Sequence, residues 1–259
     1  MPSTLSALKP LKTKKGRDEM GLFIVEGEKF VLEIPQAWNI CQYVAARRFA
    51  ENNDLTPFKH RAPCEIVKDS IFDSLADTVT PQGILAVCEK LKWELSDMLA
   101  PNGFILLGEN LNDPGNIGAL IRTAAAAGAS GVILTEGSGD VFNPKVLRAA
   151  AGAALRIPIV ANVNISETVE ALKQSKFSIY AAHLTGDTLP YSLDLTTNFC
   201  IMVGNESHGL TQTAVSHTDK CIYLPMKNDT ESLNASVAGS ILLYEAVRQR
   251  VELQFGKWK

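Results

Sequence analysis

From residue 103 onward, short apolar runs alternate with segments of helical spacing, and this alternation most constrains the fold. The runs are apolar at every position, as in Phe104–Gly108 and Phe199–Val203. A strand that is apolar on both faces has to be covered on both faces, which is typical of parallel sheets with crossover helices. We therefore predict an α/β fold with a parallel sheet, ending in a long helix over residues 232–251.

A smaller α/β pattern precedes this region. The apolar runs at residues 22–25, 40–44 and 84–88 are predicted strands, and helical spacing follows the first two of them. A charged stretch over residues 89–102 ends in Pro-Asn-Gly and has the character of a linker. A chain of 259 residues is long enough for two domains. We place a smaller domain at residues 1–95 and the larger domain at residues 96–259.

The turn after the first strand of the larger domain disfavours the common nucleotide-binding folds. A dinucleotide fold carries GxGxxG at that turn. Gly115 and Gly118 lack this spacing, and no Gly-Lys-Ser/Thr triplet follows. Polar residues instead follow three of the predicted strands, after residues 108, 203 and 224. Because the carboxyl ends of parallel strands meet at one edge of a sheet, we expect these three segments to converge on one site.

The three polar segments carry motifs that are recognisable together. Residues 113–119 read Asp-Pro-Gly-Asn-Ile-Gly-Ala and lead to Arg-Thr-Ala at 122–124; residues 204–210 read Gly-Asn-Glu-Ser-His-Gly-Leu. The third pair is Leu-Pro-Met at 224–226 and Ser-Leu-Asn-Ala-Ser-Val-Ala at 232–238. In order and spacing these resemble the SpoU (TrmH) branch of the SPOUT superfamily, whose members are S-adenosylmethionine-dependent RNA 2′-O-ribose methyltransferases. The resemblance covers residues 103–250.

The resemblance also implies architecture. It implies a deep trefoil knot formed by the C-terminal helix, and a homodimer with the active site near the subunit interface. The first domain resembles the small substrate-binding domain that often precedes this catalytic domain, with a fold like ribosomal protein L30e. Residues 14–17 and 23–27 carry that likeness.

The motif positions imply roles for eight residues. By resemblance, the cofactor S-adenosylmethionine is bound by the main chain at three positions, and five side chains form the catalytic set. The cofactor positions are Gly204, Leu224 and Leu233, and the catalytic set is Asn116, Arg122, Glu206, Ser232 and Asn234. For the leucines, a buried side chain is compatible with a main-chain role.

The catalytic roles differ in kind. The family assigns the position of Arg122 to catalysis, sometimes as a general base. A guanidinium stays protonated, so we expect Arg122 to clamp a substrate phosphate and to stabilise the developing alkoxide. Glu206 is expected to shape the pocket, with a base role as the alternative. Ser232 and Asn234 open the predicted last helix, where simple capping is the alternative. We expect Asn234 to orient Arg122 or the ribose, and we leave His208 out of the site.

Charge and cysteine content limit the classes of partner and of metal site that the sequence favours. The net charge of −3 argues mildly against nucleic acid, but a basic cluster precedes the first acidic residue. We predict that Lys12, Lys14, Lys15 and Arg17 contact RNA, with a solvated terminus as the alternative. Five cysteines without a CxxC pair favour a reducing cytoplasm and no metal site. Neither a signal peptide nor a membrane-spanning run is apparent, so we expect a cytoplasmic protein.

The predicted activity is methylation of a ribose 2′-hydroxyl in structured RNA. The additional N-terminal domain favours ribosomal RNA, with transfer RNA as the second choice. A non-catalytic RNA-binding or ribosome-assembly protein of the same fold is an alternative, although all five catalytic side chains are present. A Rossmann-like small-molecule enzyme is a third possibility, which the missing glycine motif opposes.

Overall fold

The structure is a computed structural model, and it describes residues 4–256. Its internal contacts divide the chain into two compact units. The N-terminal unit comprises the chain up to Lys92 together with Phe142–Leu155, and the C-terminal unit comprises Trp93–Val141 and the chain from Arg156 onward. The sequence predicted one cut after residue 95. The structure differs because the chain returns to the N-terminal unit for residues 142–155.

The N-terminal unit is built around a four-stranded mixed sheet. Its elements are α1 (Thr4–Leu8), α2 (Lys14–Met20), β1 (Leu22–Glu26), α3 (Glu28–Leu32), β2 (Ile40–Ala46), α4 (Arg47–Asn52), α5 (Thr56–Lys59), β3 (Cys64–Val67), α6 (Asp69–Leu75) and β4 (Ile84–Glu89). The strand order is β1-β4-β2-β3, and only the β2–β3 pair is parallel. Strand β4 lies inside the sheet, and Ile84 through Cys88 are all buried, as the apolar run predicted.

The remaining elements follow in strand–helix alternation. They are β5 (Phe104–Gly108), α7 (Pro114–Ala127), β6 (Gly131–Thr135), α8 (Pro144–Ala149), β7 (Ile159–Val163), α9 (Ile165–Gln174), β8 (Ser178–Ala182), β9 (Phe199–Val203), α10 (Gln212–Ser216), β10 (Lys220–Ile222) and α11 (Ala235–Phe255). The strands form a parallel sheet in the order β10-β8-β9-β5-β6-β7. The predicted α/β class with a parallel-sheet core is confirmed.

Strands β5 and β9 form the centre of this sheet. They pair in register from Phe104 against Phe199 to Gly108 against Val203. Every residue of both strands is buried, which explains why their sequences carry no alternating pattern. Their carboxyl ends therefore lie side by side, and the segments after residues 108 and 203 start from the same place.

Segment 142–155, which contains α8, completes the core of the N-terminal unit. The Phe142 ring packs on Phe23 at 4.5 Å between ring centroids, and the Trp38 indole donates a hydrogen bond to the Leu155 carbonyl oxygen at 2.7 Å. Arg148 forms an ion pair with Asp77 at 2.8 Å. These contacts join residues that are far apart in the chain, and local patterns contain no information about them.

Helix α7 begins in the segment after β5, and helix α11 is the last helix of the described chain. Helix α7 starts at Pro114 because the Asp113 carboxylate accepts a hydrogen bond from the Asn116 N–H at 2.8 Å. Helix α11 starts at Ala235, three residues later than the sequence suggested, because Asn234 is its capping residue. Ser232 therefore lies in the preceding loop. A Cβ on Gly239 would lie 2.6 Å from Leu120, so this glycine allows α11 to pack closely on α7.

Smaller differences have local causes. Strand β10 ends at Ile222 rather than continuing to residue 224. The predicted linker contains a 3-10 turn, Leu95–Met98, whose Met98 is fully buried against Gly131. The basic segment near the start is ordered as α2, with Thr13 as its cap. The trefoil knot stays a prediction. Within residues 4–256, no helix is both long and apolar enough to cross a membrane.

Candidate active site

One carboxylate joins the first two motif segments at the carboxyl edge of the parallel sheet. Glu206, in the loop after β9, accepts hydrogen bonds from the backbone N–H groups of Asn112 (3.5 Å) and Asp113 (3.3 Å). It also accepts from the Asn116 side-chain amide at 3.0 Å. The first and second motifs are thus joined by three hydrogen bonds to a single side chain.

These hydrogen bonds set the protonation state of Glu206. Partial burial by itself raises the pKa of this carboxyl, but the bonds from Asn116 and from backbone N–H groups outweigh it, so the pKa lies below its ordinary value. Glu206 is therefore ionised at neutral pH. A carboxylate that is already engaged and of lowered pKa is a poor proton acceptor, which favours the pocket-shaping role over the base role.

Asn234 connects the third motif to the same network. Its Oδ1 accepts from the backbone N–H of Ser236 at 2.8 Å and caps α11, while its Nδ2 donates to the Asn116 Oδ1 at 2.9 Å. Capping and a site role were alternatives in the sequence; the side chain caps α11 and also contacts Asn116 of the first motif. The partner that Asn234 orients is Asn116, whereas the sequence suggested Arg122 or the ribose.

A cavity of about 390 Å³ opens beside this network within the C-terminal unit. It is lined by the three positions expected to hold the cofactor, Gly204, Leu224 and Leu233, and also by Glu206 and Ser232. Ser232 is exposed and makes no hydrogen bond with any described residue. Cavities of roughly 300–1,000 Å³ are the usual size for small-molecule sites.

The local backbone requires glycine at position 204. A Cβ at Gly204 would lie 2.2 Å from the backbone of Gly209 and of Leu210. Glycine is needed because the two ends of the loop lie against each other at this point.

Arg122 stands apart from the network. Its side chain is exposed on α7, and within residues 4–256 it makes no hydrogen bond or ion pair. Asn116 lies six residues earlier on the same helix, which places the two side chains on different faces. The structure therefore brings together Asn116, Glu206 and Asn234, and leaves the donors of Arg122 free.

The basic residues of the N-terminal segment divide into two kinds. Arg17 is buried and donates to the Leu11 carbonyl oxygen at 2.7 Å, so the expectation that it contacts RNA is corrected. The Lys12 Nζ donates to two carbonyl oxygens of the N-terminal unit. Lys14 and Lys15 are exposed, and Lys15 forms a surface ion pair with Glu19 at 3.7 Å.

Sequence reasoning missed the segment after β8, where His183, Leu184 and Thr185 line the cavity. The sequence contained a signal for this segment, because polar residues follow β8 just as they follow the three predicted strands that precede the motif segments. Reasoning also missed Glu109, a buried carboxylate after β5. Among the described residues, no group of three or more His, Cys, Asp or Glu side chains is arranged to hold a metal ion.

Comparison with known proteins matches both units. Residues 103–244 match the model of the SpoU rRNA Methylase family, and residues 3–86 match the MRM3-like substrate binding domain. The 23S rRNA (guanosine(2553)-2′-O)-methyltransferase RlmP of Bacillus subtilis (strain 168) is 34% identical, over 91% of this chain and 92% of that protein. The 23S rRNA (guanosine-2′-O-)-methyltransferase RlmB of Xylella fastidiosa (strain Temecula1) is 34% identical, over 71% of this chain and 77% of its own length.

A solved structure gives the same result. The AdoMet-bound rRNA methyltransferase from Sinorhizobium meliloti superposes with a TM-score of 0.82 at 26% identity, covering 96% of this chain and 97% of that one. Similarity therefore extends over both units and over all three motif segments. The chain belongs to the SpoU rRNA methylase family.

Proposed function

We propose that this protein transfers a methyl group from S-adenosylmethionine to the 2′-hydroxyl of a ribose in 23S ribosomal RNA. In the two relatives named above, the modified nucleotide is a guanosine, and we propose the same for this chain. The observation that carries the proposal is the hydrogen-bonded row Glu206–Asn116–Asn234, which joins all three motifs beside the cavity.

The cavity fits the cofactor. Its lining combines apolar side chains with main chain that has no secondary structure, at Leu224 and Leu233. Within the described chain, the backbone groups of these two residues have no hydrogen-bond partner. Free N–H and C=O groups beside an apolar surface can bind the amino-acid and adenine ends of a nucleoside ligand.

The protein's contribution to the reaction is alignment and charge. Bound S-adenosylmethionine supplies a methyl group on a sulfonium, which an oxygen nucleophile takes by direct displacement. Asn116, fixed by Glu206 and Asn234, has a side chain of defined orientation in contact with Glu206, which lines the cavity. Arg122 has free donors that can bind a phosphate and stabilise negative charge on the ribose O2′ as its proton leaves. Ser232 offers a free hydroxyl at the cavity.

The test is methyl transfer from radiolabelled S-adenosylmethionine to purified 23S ribosomal RNA, with transfer RNA as a parallel substrate. Arg122→Ala and Arg122→Lys variants accompany the wild type, and the RNA is then digested to nucleosides. We expect label in a 2′-O-methylated guanosine of 23S RNA, lost in the alanine variant and reduced with lysine, which keeps the charge but not the bidentate fork.

Other outcomes of the methyl-transfer assay would each change a different part of the proposal. Label in transfer RNA alone would overturn the substrate and keep the reaction. Label in ribosomal RNA at a base rather than a ribose would overturn the reaction. Absence of label, together with absence of cofactor binding by calorimetry, would favour a non-catalytic RNA-binding protein. A ribosomal RNA substrate would place the reaction in the cytoplasm.

We further propose that the protein acts as a homodimer through α11. Val237, Ile241 and Tyr244 follow helical spacing on this helix, and their side chains are 46%, 44% and 52% exposed. An apolar stripe of this kind is typical of an interaction surface. Sedimentation of the wild type should give twice the monomer mass. An Ile241→Lys variant should sediment as a monomer, and dimers unaffected by this change would contradict the proposal.

We also propose that the N-terminal unit binds the RNA substrate through the exposed Lys14 and Lys15. The match to a substrate-binding domain supports this role. A variant with both lysines changed to glutamate should bind RNA more weakly, with a shallower dependence of affinity on salt. Equal affinity and equal salt dependence in the variant would move the contact surface elsewhere on the unit.

A further inference from the structure

Glu109 is a buried carboxylate that the reaction described above does not use. Among the described residues it is the only aspartate or glutamate in the interior, with 5% of its surface exposed. It follows β5 directly, at the edge of the sheet where the site lies, yet it does not line the cavity. Burying a charge is unfavourable unless hydrogen bonds compensate it, so its partners indicate what it is for.

Both partners of the carboxylate belong to Thr211. Glu109 accepts from the Thr211 N–H at 2.8 Å and from the Thr211 hydroxyl at 2.6 Å, lengths typical of charge-assisted hydrogen bonds. The backbone N–H of Glu109 donates to the Val203 carbonyl oxygen at 2.8 Å. Val203 and Thr211 are the residues on either side of the 204–210 loop. One residue therefore binds both stems of that loop.

The two ends of the 204–210 loop lie close together at Gly204, Asn205 and Gly209, which we call the neck of the loop. Asn205 and Gly209 exchange two backbone hydrogen bonds, of 3.0 and 2.9 Å, and a Cβ at Gly204 would collide with the opposite stem. The loop carries Glu206, which holds Asn116, and its main chain lines the cavity. A change in the separation of the stems would therefore move both the Glu206 carboxylate and the cavity wall.

We propose that Glu109 is a positioning residue for methyl transfer, which fastens the neck of the 204–210 loop and thereby places Glu206 and the cofactor-facing main chain. This inference rests on the proposed function. Glu109 touches neither substrate nor cofactor and acts through the loop. A purely structural role, such as capping α10 through Thr211, would stabilise the fold without affecting cofactor affinity or turnover in folded protein.

The test compares Glu109→Gln with Glu136→Gln in the full chain. Glu136 is a matched control because it follows the neighbouring strand β6, its N–H donates to a strand carbonyl, and its side chain is exposed without a partner among the described residues. Glutamine at 109 keeps the shape and loses the charge. We expect S-adenosylmethionine to bind about tenfold more weakly by calorimetry, and kcat to fall by a similar factor. The control should match the wild type.

Thr211 provides a second pair of variants. Thr211→Val removes the hydroxyl that donates to Glu109 and should reproduce the loss of affinity, whereas Thr211→Ser keeps the hydroxyl and should restore it. On a Glu206→Ala background, Glu109→Gln should lower kcat much less than it does alone, because both changes act on the same loop. Hydrogen exchange should rise at the amides of Asn205 and Gly209 in Glu109→Gln.

The outcomes separate this inference from the proposed function. A wild-type chain that binds S-adenosylmethionine beside a Glu109→Gln variant of equal affinity and kcat would overturn the inference alone. Additive effects of Glu109→Gln and Glu206→Ala on kcat would also overturn it. A wild type that binds no S-adenosylmethionine would overturn the proposed function, and the role of Glu109 in methyl transfer with it.

Discussion

Two arginines beside the parallel sheet are used in opposite ways. At the amino edge, Arg250 donates to the carbonyl oxygens of Leu195, Asn102 and Thr197, at 2.9, 2.7 and 3.0 Å. Its guanidinium also lies 4.6 Å from the centre of the Phe104 ring. On helix α7, Arg122 is exposed and has no partner within residues 4–256.

We interpret this as the difference between a structural arginine and one that is available for function. Arg250 connects α11 to the loops at the amino ends of β5 and β9, so its donors are satisfied inside the chain. An exposed cation that is left unpaired contributes little to the fold and is free to bind an anion. The two arginines should therefore respond differently to the same substitution.

The largest effect should come from Arg122→Ala. We expect kcat to fall by about 10²–10³-fold, because one preorganised donor to developing charge contributes that much in other enzymes. The midpoint of thermal unfolding should not change, since the side chain has no partner to lose. Methyl transfer and calorimetric melting on the same preparation measure both. A lowered melting temperature would contradict the contrast between the two arginines.

Arg250→Ala should have the converse effect. Loss of three hydrogen bonds to a charged donor and of a cation–π contact should lower the free energy of unfolding by about 3 kcal/mol. Urea unfolding measures this change. Arg250→Lys keeps the charge but cannot reach three carbonyl groups, so it should lie between alanine and wild type. Cofactor affinity, measured where the variant is folded, should equal that of the wild type, and a specific loss of affinity would remove the distinction.

The parallel sheet could be predicted because its information is local. Strands such as β5 and β9 are buried on both faces, and a continuous apolar run is the direct consequence. The place of segment 142–155 could not be predicted in this way. Its packing against Phe23 and Trp38 depends on contacts between distant parts of the chain.

The site was predictable to the extent that motifs mark positions. The motifs indicated Glu206, Asn116 and Asn234, but not that the three form one hydrogen-bonded row. The basic cluster near the start of the chain predicted surface contacts less well than the motifs predicted the site. Arg17 is predicted as a surface residue from the sequence, yet it is buried and donates to the Leu11 carbonyl oxygen. Burial of a charged side chain depends on partners that composition does not reveal.

An intermediate effect should follow from Asn234→Ala, which removes a cap and a site contact together. Loss of the cap should lower the free energy of unfolding by about 1 kcal/mol. Release of Asn116 should in addition lower kcat to roughly a tenth of the wild-type value. Asn234→Asp keeps the capping oxygen but places a carboxylate against the Asn116 Oδ1, so it should restore stability without restoring kcat. Recovery of kcat in the aspartate variant would show that capping alone matters.

The smallest effect should be a pH dependence that Glu206 brings to the carboxyl edge. Its pKa in the folded chain lies below the ordinary value of 4.5, because hydrogen bonds to its ionised form outweigh partial burial. Its contribution to stability is therefore complete above pH 4.5 and is lost as the pH falls through the lower, folded-state value. Since the side chain is exposed, solvent screening keeps this contribution below about 1 kcal/mol.

Urea unfolding at several pH values measures this contribution. The free energy of unfolding of the wild type should exceed that of Glu206→Gln by a constant margin between neutral pH and pH 5, and the margin should shrink on further acidification. A margin that grows towards acid would reverse the sign and show that the folded chain favours the protonated carboxyl, in which case Glu206 would return as a candidate base.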